Sequence, residues 1–199
     1  MAARPQPVLL RGGVEIADPL APILAVADAW WVHFVGDRSA SFGDPDLRLA
    51  NRGGARISAA QIAAVLERRA AIEAALAAIP PEASLAAGTR SVPWRPLRQL
   101  LEAFAGLPGV GYAKVTKTLH PKRPALIPML DSVVQAYLRD DDPGARAPFA
   151  ERGLALVRAY KRDLDANRAA LRSVRRALAR RGHELGEVRI LDLLIWSAA

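Results

Sequence analysis

Cysteine is absent from the 199-residue chain, histidine occurs three times (His33, His120 and His183), and aromatic residues make up 6%. Without thiols there is no Cys-ligated zinc, iron–sulfur cluster, thiol nucleophile or disulfide framework. The histidines are scattered and form no zinc-ligand spacing, so neither a metal nor a cofactor is expected; a carboxylate site for a hard cation is all the metal chemistry left open. No run approaches the ~18 uncharged apolar residues of a membrane span. The opening MAARPQPVLLRGG places Pro5, Pro7 and Arg11 where a signal peptide needs its apolar stretch. A cytoplasmic protein with no membrane partner is expected.

What is present is a chain 51% hydrophobic and 24% charged, carrying 28 Lys and Arg against 20 Asp and Glu. The net charge of +8 and a pI near 10.7 favour a polyanionic partner, because cations that neutralise phosphates release counterions. Of the basic residues 24 are Arg, a bias that a GC-rich genome also generates, so charge is supportive only. Ten basic and three acidic residues lie between Glu151 and Arg181. Arg168, Arg172, Arg175 and Arg176 recur there at helical spacing, as either a solvated face or a polyanion-facing stripe.

The apolar spacing predicts an all-α protein with many short helices: an irregular segment over 1–17, holding at most a short strand, and a single helical domain over 18–199. The first helix is expected from Asp18 to Val35, with Asp18 as N-cap and Ile23, Val26, Trp30, Trp31 and Phe34 along one stripe. Residues 36–57 read as a long loop with a D-P turn signal. Ser58 and Gln61 form a capping box that opens a helix reaching Pro80-Pro81, with Arg69 on its apolar face either snorkelling or paired to a carboxylate. Residues 81–93 read as a second loop. Leu97, Leu100, Leu101 and Phe104 then mark a helix ended by Gly106, and further helices are expected over 112–120, from Asp131, and over about 147–160, 163–181 and 186–197.

Two helices joined by the glycine turn Leu107-Pro108-Gly109-Val110-Gly111 leave the second helix's first N–H groups open to a phosphate, and Lys114 and Lys117 lie at i, i+3 on that helix. These residues, followed by a helix and then an aspartate, resemble the helix-hairpin-helix DNA glycosylase superfamily. Counting twenty residues from Gly111 reaches Asp131, the superfamily's catalytic position. The surrounding I-P-M-L-D-S-V-V is similar to its apolar-apolar-D-T-x-apolar pattern, with Ser132 in place of the common Thr. The resemblance covers 45 residues, from Trp94 to Leu138. The stretches K-R-P-A-L-I-P-M-L-D-S-V-V and R-I-L-D-L-L-I-W also resemble a group of uncharacterised bacterial proteins, which adds no function.

The resemblance implies a two-lobed, multi-helix glycosylase-like fold with the hairpin over 94–120. It implies a monomer, nucleoid-associated if it binds DNA, that grips double-stranded DNA through Gly109, Val110, Gly111, Lys114, Lys117, Lys122 and Arg123. Asp131 would stabilise positive charge on the sugar while a flipped base is excised. Bifunctional members carry an amine-nucleophile Lys two residues after the second glycine. Here that position is Ala113, and Lys114 points about 100° away, so the implied activity is monofunctional hydrolysis. Trp30, Trp31, Phe42 and Tyr112 are the candidates for stacking on the base.

Plainer readings stand beside these. Asp131 is equally suited to capping its helix. Lys122 and Arg123 are either loop charges or phosphate contacts, and His120 is placed to cap a helix C-terminus as a cation. Asp192 is expected to pair with an Arg such as Arg189 or one from the basic helix. A noncatalytic hairpin module, or a glycosylase-like fold acting on a small nucleoside or metabolite, are the alternatives to a DNA glycosylase. Whether Asp131 lines a cavity large enough for a nucleobase separates them.

Overall fold

A computed structural model of the chain describes residues 5–33 and 36–199. The described residues form α1 (Leu20–Leu24), α2 (Trp30–His33), α3 (Asp44–Arg52), α4 (Ala59–Leu66), α5 (Arg69–Ala77), α6 (Trp94–Glu102), α7 (Tyr112–Leu119), α8 (Ser132–Tyr137), α9 (Phe149–Ala166), α10 (Arg168–Ala179) and α11 (Glu187–Ser197), plus a two-strand ribbon of β1 (Val8–Leu9) and β2 (Glu15–Ile16). The protein is all-α apart from that ribbon, in which Val8 faces Ile16. No described helix is long and apolar enough to cross a membrane. One cluster of buried side chains runs from Val8 to Ile195.

The hydrophobic stripes explain the central layer. Leu97, Leu100 and Leu101 bury one face of α6 against α9 and α5, and Gly106 (φ +74°) lets the chain reverse. On α9, Gly153 sits where a Cβ would lie 3.0 Å from both Leu101 Cδ1 and Tyr112 Cε1, so the absence of a side chain sets how closely α9 approaches the hairpin. At the end of α9, Asn167 bonds both backbone groups of Leu9 at 2.9 Å, pinning the ribbon and breaking the helix there. Arg11, in the ribbon's turn, reaches Asp141 at 2.5 Å and Asp163 at 2.6 Å.

Several boundaries differ from the sequence expectation. The helix expected over 18–35 is two short ones, because the chain after Leu24 turns through i→i+3 bonds such as Ala27 N to Leu24 O. Phe34 and Val35 lie outside the described residues. The expected loop over 36–57 contains α3. The D-P pair is a helix start rather than a turn: Pro45 stands in the first turn and Asp46 Oδ2 accepts the Gly43 N–H at 2.9 Å. The Ser58–Gln61 capping box forms as expected, but its helix ends at Leu66 and restarts at Arg69, which pairs with Glu73 at 2.9 Å. The break expected near residue 161 falls at Asn167, because Lys161 is drawn inside to bond Leu85 O and Ala87 O.

Candidate functional site

The site begins at the hairpin. Gly109 has φ +68° and Gly111 caps α7, with no side-chain acceptor at the cap among the described residues. Both glycines are exposed, and Val110 turns its side chain inward. Across the turn lies Gln61 of α4, whose Nε2 donates to Pro108 O at 3.2 Å and whose Oε1 accepts from Lys114 Nζ at 2.7 Å. A Cβ on Gly109 would stand 2.5 Å from Gln61 Nε2 and displace that side chain, while the positive φ itself favours glycine.

α7 positions the aspartate through its buried face. Thr116 Oγ1 accepts the Leu130 N–H at 2.9 Å and donates to Tyr112 O at 2.8 Å, while His120 Nδ1 bonds Ile127 O at 2.6 Å. These bonds fix the segment that delivers Asp131 to the start of α8. Asp131 does cap that helix: Oδ1 accepts from Val133 N and Val134 N, each at 3.1 Å. Its other oxygen, Oδ2, accepts from Trp196 Nε1 of α11 at 2.9 Å.

Asp131 also lines a cavity of about 230 Å³. Around it stand Trp31, Trp196, Lys117, Gly53, Met129 and Arg189. Both indoles in its lining stay exposed to solvent, Trp31 at 40% and Trp196 at 54%. A cavity of about 150 Å³ already holds benzene, so this one has room for a flat ring system. Lys117 lies with its Nζ against Gly54, and among the described residues nothing hydrogen-bonds or ion-pairs with it.

Arg189 is the buried cation of the lining. Its Nε donates to Val32 O at 3.0 Å and its Nη2 to Trp31 O at 2.9 Å, with the guanidinium 5.7 Å over the Trp31 ring. Asp192, one turn on, is fully buried. Its Oδ2 accepts the Met129 N–H at 3.4 Å, and its Oδ1 has no partner among the described residues. Burial pushes the carboxyl up to about 7 against the pull of the Arg189 charge. The expected Asp192–Arg189 pairing is therefore not a contact ion pair, since the guanidinium spends its bonds on carbonyls.

Of the residues singled out from sequence, Asp131, Lys117 and Trp31 come together in the cavity, and Gly109, Gly111 and Lys114 form the exposed hairpin beside it. Others are placed elsewhere. Lys122 is buried and pairs with Asp46 at 2.9 Å and Asp37 at 3.4 Å. Arg123 is buried and donates to the carbonyls of Ile79, Arg38, Lys122 and Leu76 at 2.7–3.0 Å. Neither can reach a phosphate without unmaking the interior. Phe42 is buried edge-on to Phe104, and Tyr112 is buried in a stack on Phe149, so neither offers a ring face to a base. Trp30 is exposed but not part of the cavity wall. His120 does cap α7, but burial pushes it down to about 4, leaving it neutral rather than cationic. Much of the basic stripe is engaged: Arg168 with Asp165, and Arg172 and Arg175 with Glu187.

Trp196, Met129 and Gly53 escaped the sequence reading as site residues, and Arg189 entered it only as a partner for Asp192. Trp196 lies near the end of the helix expected over 186–197, and only the fold brings its indole to a carboxylate 65 positions away. No curated protein and no solved structure matches the chain. Residues 40–199 match DUF6308, a family of unknown function. The matched stretch contains every named wall residue of the cavity except Trp31. The chain belongs to this family.

Proposed function

We propose that the protein holds DNA at the helix-hairpin-helix and hydrolyses the N-glycosidic bond of a base turned out into the cavity beside Asp131. The observation that carries this reading is the convergence of the Asp131 carboxylate and two exposed indoles on one cavity of about 230 Å³. α7 supplies a wall of that cavity and also starts at the hairpin glycines. The indoles offer stacking faces to an extruded base.

In the reaction the C1′–N bond breaks with its electron pair passing to the base, and a water oxygen bonds to C1′. The sugar becomes oxocarbenium-like, and a fixed carboxylate at that point stabilises the charge without reorganising. Oδ1 accepts two backbone N–H bonds and Oδ2 one indole bond. Since a carboxylate has about four acceptor sites, Oδ2 keeps one for the water. Ala113 supplies no amine, so the product is an abasic site.

A second reading, a free nucleoside or small metabolite in the same cavity, draws on the withdrawal of Lys122 and Arg123, which thins the cationic surface near the site. Wild type and Asp131→Asn, tested on duplexes with alkylated, deaminated and oxidised bases, separate the readings. Expected is abasic-site formation by wild type, revealed as strand cleavage only after alkali, and its loss in the variant with DNA affinity kept and steeply salt-dependent. Salt-dependent binding with no excision by either protein favours a noncatalytic module. No DNA binding at all leaves the metabolite.

A further inference from the structure

The base side of the cavity has an unusual polar inventory. Asp131 is engaged by α8 and Trp196 and, if the cavity excises a base, faces the sugar. What remains is the Lys117 ammonium and the Arg189 guanidinium, whose Nη1 meets only the Met129 sulfur among the described residues, at 3.6 Å. Both groups donate and neither accepts. Lys117 has no partner among the described residues although it lines the cavity and lies beside Gly54. A ligand that displaces water from this largely apolar space has to offer that cation an acceptor in its place.

We propose that Lys117 reads the base, so that the cavity selects bases with a carbonyl at C4 of a pyrimidine or C6 of a purine, of the uracil and hypoxanthine type, over cytosine and adenine, which present an amine at that position. This rests on the base-excision reading of the cavity. An exocyclic amine would set N–H against N–H and leave the ammonium unpaired, and a site built on a hydrogen bond discriminates strongly against a ligand lacking it. The pair of cations behind one carboxylate likewise disfavours bases made cationic by alkylation.

The same contact assists bond breaking. The departing base of this class carries its electron pair partly on the carbonyl oxygen, where the ammonium stabilises it. The atoms balance: the water oxygen becomes bonded to C1′, its proton leaves through Asp131 to solvent, and the base takes a proton from Lys117, which solvent replenishes. Trp31 and Trp196 contribute the sequence-tolerant stacking, leaving discrimination to Lys117.

The test is calorimetric titration of the intact protein with free hypoxanthine against adenine, and uracil against cytosine, followed by the indole N–H resonance of Trp196 to place the ligand. Wild type is expected to bind the carbonyl member of each pair at least about tenfold tighter. Lys117→Met erases the preference while keeping the fold, and Lys117→Arg, still a donor, retains it. Equal binding of hypoxanthine and adenine to wild type, or a preference that survives in Lys117→Met, overturns the inference while the base-excision reading stands on its own duplex assay. If no base binds and no Trp196 shift appears, the base-binding cavity itself falls and takes this inference with it.

Discussion

Lys117 and the pair Lys122-Arg123 lie within seven residues of one another and meet opposite fates. Lys117, on the half-exposed face of α7, reaches the cavity with its ammonium uncommitted. Lys122 and Arg123, past the end of that helix, are drawn inside, 2% and 1% exposed, where carboxylates and carbonyls occupy their donors. The contrast shows that a cation's task is set by which backbone acceptors the fold leaves near it. Residues 151–181 repeat the lesson: the segment with most of the net charge has many of its guanidinium groups in ion pairs or over rings, as Arg158 lies 5.3 Å over Trp94. A function for this chain is better sought at a few uncommitted groups than at the densest charge.

The sharpest way to break the comparison is to neutralise both kinds of cation. Arg123→Met takes the guanidinium donors from the carbonyls of Leu76, Ile79 and Arg38 and opens a cavity where a large buried side chain stood, and a buried acceptor left unpaired costs about 1–3 kcal/mol. Urea unfolding is expected to show a loss on the order of 3 kcal/mol or more, with a substantial fall in expression. Lys117→Met removes no bond and is expected to stay within about 0.5 kcal/mol of wild type. Similar losses in both variants would show that Lys117 is as structural as Arg123.

A smaller effect distinguishes the two buried titratable groups. His120 is held near pH 4 against an ordinary 6.5, so below about 6.5 the unfolded chain takes a proton that the fold refuses, and stability falls with falling pH. Asp192 is held near 7 against an ordinary 3.8, so the fold keeps a proton the unfolded chain has lost, and stability falls as pH rises from about 4 to 7. The slopes oppose each other over nearly the same window. Relative to wild type, His120→Gln is expected to tilt the stability profile downward with rising pH and Asp192→Asn upward, each by at most about 1.4 kcal/mol per pH unit. Unfolding midpoints between pH 4.5 and 7 measure this, and parallel profiles for all three proteins would remove both assignments.

The hairpin and the helix cap were legible because each is local: glycines at fixed offsets, a capping box at Ser58 and Gln61, and an aspartate before Ser-Val-Val. α6 was legible for the same reason, its apolar stripe being strictly periodic. What sequence could not place depends on contacts between distant segments. The buried fate of Arg123 rests on carbonyls 44 and 47 positions back, and the indole on Asp131 comes from the far end of the chain. α3 was lost for a nearer cause, since Asp-Pro serves a turn and a helix start equally well until the Gly43 N–H finds the Asp46 carboxylate.

The gentlest perturbation returns to the hairpin, where Lys114 stands between the two extremes, half-exposed and bonded to the neutral oxygen of Gln61 at 2.7 Å. A phosphate is a stronger acceptor than an amide, so DNA held at the hairpin would draw the ammonium away at little cost. Lys114→Gln is expected to weaken DNA binding a few-fold and to lower the log–log salt slope by about one, with no change in unfolding midpoint. Arg175→Gln, whose guanidinium already faces Glu187 at 3.5 Å, is expected to leave the slope unchanged. Fluorescence anisotropy on one duplex across a salt series reads both variants. A slope that drops for Arg175→Gln and not for Lys114→Gln would move the DNA contact from the hairpin to α10, and with it the claim that uncommitted cations mark the site.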